Sequence, residues 1–365
     1  MKKLSLSLLV LMLTGITVFA QKATSDKAGN IIIVSIDGLR WHEVFQGAEK
    51  ALILNKKYNS QDSIQRIKKY WSEDQQERRV KLMPFVWGVF AKDGQLYGNR
   101  DLGSLVNVKN PYWFSYPGRN ENLTGYADPK VNSNDYPDNP NKNVLEFIDQ
   151  QKGYKGRVVA FASWDAVARI INRNRNGLMV NNPFEDIKGD NLTEAEKLAN
   201  EIQHYEPQIW GDGERLDATT YALAKSYIAA KHPKVVYLDL ADTDDHAHGG
   251  NYDLYLDAIH NIDAMISSLW NYIQKDPFYK NNTTIIVMPD HGRGEGKQWT
   301  SHGASIPHAN DTWLMTIGPK IKPLGEVKNG GQIYQDQYAK TIAKLLGFNF
   351  TSVNPIGEVI DSVVK

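Results

Sequence analysis

N-I-I-I-V-S-I, Asn30 to Ile36, followed at once by Asp37-Gly38, is the stretch whose reading decides the fold. The run is short, continuous and rich in β-branched residues, with no alternation of polar and apolar positions. That is the pattern of a strand buried on both faces of a parallel sheet. Four further runs of the same kind lie downstream. Arg157 to Ala162 ends at Ser163-Trp164-Asp165, and Lys234 to Leu240 feeds into A-D-T-D-D-H-A-H-G-G, residues 241–250. Thr283 to Met288 ends at Pro289-Asp290-His291-Gly292, and Trp313 to Ile317 ends at Gly318-Pro319. Helical patterns lie between and after them, over Leu216 to Lys231, Tyr252 to Lys275 and Tyr334 to Leu346, the last stopping at Gly347. Strands alternating with helices predict a doubly wound, mostly parallel α/β sheet flanked by helices.

Composition bounds what such a fold can do. The chain has 365 residues with Lys+Arg and Asp+Glu both at 42, a formal charge of zero. A balanced charge argues against a nucleic-acid binder or a polybasic membrane-surface protein. With 41% hydrophobic residues the chain can bury a large core, which argues against disorder. Cysteine is absent, which removes disulfides, thiolate metal sites, cysteine nucleophiles and a lipidated N-terminal cysteine. Lys2 and Lys3, the mostly apolar stretch Leu4 to Phe19, and small residues at Val18 and Ala20 predict a signal peptide over 1–20, cleaved before Gln21. The expectation is an exported protein, periplasmic or secreted, with residues 21–365 as one domain and no membrane span after the leader.

In open parallel sheets, ligands bind beyond the carboxyl ends of the strands. Three strands here deliver Asp or His to that edge, and His246, His248, His291, His302 and His308 all lie between 246 and 308. A lone Asp after a strand is usually a cap or turn residue; three together, two of them with His, point to a metal. Mixed carboxylate and imidazole ligands without sulfur suit zinc first and manganese or iron after it, and disfavour calcium or magnesium, which prefer all-oxygen shells. About six ligands are enough for two adjacent ions, the arrangement that clamps the attacking and leaving oxygens of a phosphoryl transfer. The candidate nucleophile is Ser115, in W-F-S-Y-P-G-R-N-E-N-L-T-G. A serine hydroxyl is a poor nucleophile until a zinc ion favours its alkoxide.

I-V-S-I-D-G-L-R-W, S-Y-P-G-R-N-E-N-L-T-G, T-D-D-H-A-H-G-G-N-Y-D-L-Y, P-D-H-G-R-G and W-T-S-H-G, in this order from Asp37 to His302, resemble the alkaline phosphatase superfamily. The nearest likeness is to exported bacterial type I phosphodiesterase/nucleotide pyrophosphatase-like and phosphoglyceromutase-like members. The resemblance implies an alkaline phosphatase-like domain with loop insertions over the active site. It implies that Asp37, Ser115, Asp290 and His291 form one metal site, with Ser115 as nucleophile. Asp244, His248 and His302 would form the other, each site holding a zinc ion. Asp242/His246 satisfies the same D-x-x-x-H spacing as Asp244/His248, and the T-D-D-x-A-H context favours the second pair. His308 matches less well than His302; His42, His204, His232 and His260 carry no motif.

The implied activity is hydrolysis of a phosphate monoester or diester, small or glycan-linked, through a phosphoseryl intermediate. Asn132 and Asn134 are candidate donors to the phosphoryl oxygens, though each reads better as an ordinary turn residue, and Arg119 is a candidate phosphate clamp. Two rivals remain. Ser115-Tyr116-Pro117-Gly118-Arg119 with Leu123-Thr124-Gly125 also resembles the sulfatase pattern S-x-P-x-R…L-T-G. Sulfatases, however, pair two Asp after the first strand and bind calcium, where this chain has Asp37-Gly38 and Asp290-His291. The other rival is a non-catalytic exported binding protein, against which stands a residue present in every catalytic slot.

Overall fold

A computed structural model describes residues 29–59 and 62–364, so the leader expected over 1–20 lies outside the described residues. Eleven strands are present among them: β1 (Asn30–Ile36), β2 (Gly94–Tyr97), β3 (Ser104–Asn107), β4 (Val158–Ala162), β5 (Met179–Asn181), β6 (Val235–Leu240), β7 (Thr283–Pro289), β8 (Asp311–Thr312), β9 (Leu314–Ile317), β10 (Gly325–Glu326) and β11 (Gly331–Tyr334). Eight form one sheet in the order β10-β2-β9-β7-β1-β6-β4-β5, and β11-β3-β8 form a small second sheet. β1 lies at the centre, parallel to β6 on one side and β7 on the other.

The double burial predicted for β1 follows from helices on both faces. Ile32, Val34 and Ile36 enter one core, shared with Tyr252, Leu256, Ile259, Ile262 and Ile266 of the helix Tyr252–Ile273. Ile31 and Ile33 enter the other, with Tyr116 and Leu123 of the helix Ser115–Thr124 and Ile342 of the helix Tyr338–Leu345. Each such side chain contributes about 1.5–3 kcal/mol relative to exposure, which anchors β1 in register. All seven of its residues are buried.

Two expectations are corrected here. The strand at Leu314–Ile317 runs antiparallel to β7 and β2, so its Gly318-Pro319 end points to the edge opposite the site. The helix expected over Tyr334–Leu346 begins at Tyr338, because Gly331–Tyr334 pairs with β3 instead. Among the described residues, no helix is long and apolar enough to cross a membrane.

Candidate functional site

Four neighbouring parallel strands, β7-β1-β6-β4, end on one edge of the sheet, and their C-terminal residues build the site. β1 ends in Asp37 and β7 in Asp290-His291; β6 runs into the seven-residue helix Asp242–His248. Gly38 follows Asp37 with a left-handed φ of 56°, and a Cβ there would sit 2.2 Å from Asp244 Oδ1. Only glycine lets the chain turn that close to the second carboxylate.

Ser115 opens the helix Ser115–Thr124, whose ten residues are all buried. Pro117 falls in its first turn, where a missing N–H costs nothing, and Gly118 lets the helix lie on β7: a Cβ would meet the Asp290 carbonyl at 2.3 Å. Ser115 Oγ thereby stands 3.3 Å from both Asp37 Oδ1 and His291 Nε2, and those two atoms are 3.1 Å apart. His291 Nδ1 is paired with the carbonyl of Gly292 at 2.8 Å, which turns Nε2 toward the carboxylates. Asp37, Asp244 and His291 offer ligand atoms within 4.8 Å of one another, and so do Asp244, His248 and His302. His248 Nε2 is 2.9 Å from Asp244 Oδ2 and 2.9 Å from His302 Nε2. His302 Nδ1 lies 3.3 Å from the carbonyl of Trp113, two residues before the serine.

Of the two D-x-x-x-H pairs, only Asp244/His248 faces this centre. Positions 242 and 244 are about 200° apart on a helix. Asp242 instead accepts from the backbone N of Asp217, while the Asp217 carboxylate accepts from the backbone N of Ala241 and Asp242, a reciprocal cap between two helices. The His246 ring packs edge-on against Trp210. His308 pairs with Asp311. Asn132 is exposed and away from the cavity, whereas Asn134 lines it and its Oδ1 accepts from the N of Tyr116 at 2.9 Å, leaving its amide N–H groups for another acceptor.

Asp290 is placed differently from the other acids. Its Oδ1 accepts from the backbone N of Gly38 and His291, and its Oδ2 is bound by Arg119; Oδ2 is 3.8 Å from His291 Nε2. The same guanidinium binds Asp37 Oδ2 at 2.9 Å and both oxygens of Asp239, at 2.7 and 3.1 Å. Arg119 is fully buried, so the expected phosphate clamp is instead a brace among three carboxylates. Arg293 does the same for Asp244, with its other nitrogens on the carbonyls of Trp299 and Thr300. Asp239 and Arg293 were not anticipated as parts of the site. Their signals were present: a carboxylate inside the apolar run V-V-Y-L-D-L, and the Arg of P-D-H-G-R.

The electrostatics follow from these braces. Burial opposes the charge on Asp37, and Arg119 together with His291 overcomes it, holding the carboxyl below its ordinary range. Burial likewise opposes Asp244, and Arg293 and His302 hold it well below. Burial pushes Asp290 up to about 7 against the pull of Arg119. His291 is disfavoured as a cation by burial, yet Asp290 and Asp37 raise it to about 9; burial and the facing His291 push His302 down to about 3. Anionic oxygens with imidazole nitrogens suit a divalent cation, and this donor set fits a metal centre without sulfur or an all-oxygen shell. A cavity of about 430 Å³ opens over it, lined by Ser115, Asp37, Asp244, His248 and His302 on its floor.

A family model described as the metalloenzyme superfamily matches residues 20–309. No curated protein matches the chain in sequence. Solved structures do match in fold. The alkaline phosphatase PafA shares 10% identity at a TM-score of 0.61, covering 93% of this chain and 99% of that one. The lipoteichoic acid synthase LtaP from Listeria monocytogenes shares 12% identity at 0.55, covering 93% and 77%. BT1596, a 2-O GAG sulfatase, shares 13% identity at 0.57, covering 92% and 74%. The family match over most of the chain, on a fold shared with a phosphatase and a sulfatase alike, places this chain in the metalloenzyme superfamily, the alkaline phosphatase superfamily that its motifs resemble.

Proposed function

We propose that the chain is a phosphoric ester hydrolase that uses Ser115 as nucleophile and holds two zinc ions. Asp37, Ser115, Asp290 and His291 would hold one; Asp244, His248 and His302 would hold the other. The observation that carries this reading is the position of Ser115 Oγ, 3.3 Å from a carboxylate oxygen and an imidazole nitrogen that are themselves ligand candidates. Bound there, the ions would supply Lewis acidity and counter-charge to the attacking oxygen, the phosphoryl oxygens and the leaving oxygen.

The chain's own residues account for the rest. Ser115 Oγ forms a bond to phosphorus as the bond to the ester oxygen breaks, and the serine proton leaves with the departing alcohol. Water then attacks the phosphoserine, its oxygen bonding phosphorus as the serine oxygen is released and reprotonated. The buried helix Ser115–Thr124 fixes the direction of attack, and Asn134, with Oδ1 spent on Tyr116, directs its amide toward a non-bridging oxygen.

The sulfatase reading is favoured by one feature, S-x-P-x-R with its Arg119. Against it, the second carboxylate of the calcium pattern has no room at Gly38, and the donors facing Asp244 are imidazoles. The leader-like residues 1–20 support export to the periplasm or beyond, with 21–365 as a single catalytic domain. The substrate is then a small or glycan-linked phosphate ester, with no nucleic-acid surface implied by the neutral charge. The test is zinc-loaded protein offered p-nitrophenyl phosphate, bis-p-nitrophenyl phosphate and p-nitrophenyl sulfate. Turnover of phosphate esters alone supports the reading; turnover of the sulfate alone overturns it.

A further inference from the structure

The helix that carries the nucleophile is entered through a strained turn. Trp113, two residues before Ser115, has a left-handed φ of 55°, a conformation that is costly for a residue with a Cβ. Such a residue persists only where its surroundings hold it. The hold here is Asn110, fully buried, whose Oδ1 accepts from the backbone N of Tyr112 at 3.0 Å and of Trp113 at 3.2 Å. Asn110 is in turn fastened by Glu121. Its backbone N and its side-chain amide donate to Glu121 Oε2 at 2.7 and 2.9 Å, and the backbone N of Lys109 donates to Oε1 and Oε2 at 3.0 and 3.2 Å. Only this orientation of the Asn110 amide works, since turning it over would set its oxygen against a carboxylate and its N–H groups against two other donors. Glu121 is fully buried and lies on the helix Ser115–Thr124, so the helix that presents the serine reaches back to fasten the turn that leads into it.

From this arrangement we infer that Asn110 and Glu121 are positioning residues, which set both the attacking serine and the outer ligand set through the conformation of Trp113. The inference rests on the phosphoric ester reading above and adds two residues to the machinery of that same site. Two things leave this turn. One is the nucleophile: after Trp113 the chain is extended at Phe114, with φ −146° and ψ 178°, and opens the helix at Ser115, the Phe114 carbonyl accepting from the N of Gly118 at 3.0 Å. The other is the Trp113 carbonyl, which lies 3.3 Å from His302 Nδ1 and so turns His302 Nε2 toward His248 and Asp244. A right-handed or extended φ at Trp113 would swing that carbonyl away from His302. It would also carry Ser115 Oγ from its place 3.3 Å from Asp37 Oδ1 and His291 Nε2. A displacement of about 1 Å at a reacting group is enough to cost about 10²-fold in rate. Neither Asn110 nor Glu121 lines the cavity, so both act through the turn.

The experiment uses full-length protein, with p-nitrophenyl phosphate and bis-p-nitrophenyl phosphate as substrates and zinc alone as the probe of binding. In zinc-loaded Asn110→Ala, kcat should fall about tenfold while KM stays within about twofold, because the misplaced group is the attacking one. Zinc titration gives a readout independent of turnover: the outer ion should bind about tenfold more weakly and the inner ion within about twofold of wild type. The isosteric Glu121→Gln keeps one oxygen acceptor and should move both readouts the same way by about threefold, which keeps the test usable if Asn110→Ala does not fold. The decisive arm is rescue. Trp113→Gly removes the Cβ strain at that φ, so adding Asn110→Ala to it should cost about threefold or less in kcat, against about tenfold in the wild-type background. Stability to urea lost with kcat and zinc affinity unmoved, or an equal loss of kcat with and without Trp113→Gly, overturns the inference and leaves the phosphoric ester reading intact. Turnover of p-nitrophenyl sulfate with neither phosphate ester turned over defeats that reading instead, and the zinc titration then still decides whether Asn110 and Glu121 position His302.

Discussion

Asp37, Ser115, Asp290 and His291 lie behind Asp244, His248 and His302, and the two sets are held in opposite ways. In the inner set every member is buried, His291 completely. Its carboxylates are tied to Arg119, to Asp239 through that arginine, and to the backbone N of Gly38 and His291. The outer set hangs on a seven-residue helix and a loop, and the His248 side chain is 49% exposed. Its one buried brace is Arg293 on Asp244. Buried carboxylates without counter-charge are costly, so the inner set needed a guanidinium within the protein, while His248 of the outer set faces water. On the two-ion reading, the inner ion should therefore leave slowly and the outer ion first.

The largest effect should come from the inner set's nucleophile. Ser115→Ala deletes the attacking atom and leaves the buried carboxylates in place; kcat should fall by about 10³-fold or more with metal content unchanged. Loss of an ion along with activity would mean that Ser115 is mainly a ligand. Next come the histidines. His291→Ala and His248→Ala should each cost one ion and about 10²-fold or more in kcat/KM, the outer variant being the one partly rescued by excess zinc. His246→Ala should stay within about threefold of wild type, since its ring packs on Trp210. Equal losses at His246 and His248 would break the assignment of the outer set.

A smaller effect on turnover and a larger one on stability are expected from the brace. Asp239→Asn leaves Arg119 with one carboxylate partner fewer, and Arg119→Met strands three carboxylates. Urea unfolding should show about 3 kcal/mol lost for the arginine variant and less for the asparagine variant. The last difference is in pH dependence. In metal-free protein His291 is raised to about 9 by Asp290 and Asp37 despite its burial, so an incoming ion must displace a proton there. Affinity of the inner set should fall about tenfold per unit as pH drops below about 9. His302 is pressed down to about 3 by burial and by His291, so it adds no such dependence to the outer set between about pH 5 and 9. Zinc titrations at several pH values, with His248→Ala reporting the inner set and His291→Ala the outer, check this; the same slope for both would contradict it.

Much of this comparison was legible in the chain and part was not. β1, β4, β6 and β7 read directly from their apolar runs because both faces are buried and local pattern and tertiary burial agree. β9 read as a strand but its direction did not, since an antiparallel neighbour carries the same apolar pattern. Gly94–Tyr97 and Ser104–Asn107 are four residues each, too short to stand out from the loops around them. The metal-side residues were legible because their spacing follows helix geometry and strand ends. The place of Arg119, one turn after Ser115, was visible in the chain, but its role as a brace was not. That this turn faces Asp239 inside the sheet is a property of packing. Glu214 was not anticipated, because it follows a Gly-rich loop without a motif and reaches the cavity only through the bridge to Trp164.

The central claim is that Ser115 carries the phosphoryl group during turnover. Zinc-loaded protein should be mixed with p-nitrophenyl phosphate or bis-p-nitrophenyl phosphate, quenched in acid within the turnover time, and digested for mass spectrometry. The account predicts an adduct on the peptide bearing Ser115, about 80 Da from the monoester and heavier by the retained aryl group from the diester, and none in Ser115→Ala. Formylglycine at position 115, or phosphate-ester turnover with no adduct there and undiminished in Ser115→Ala, would contradict it.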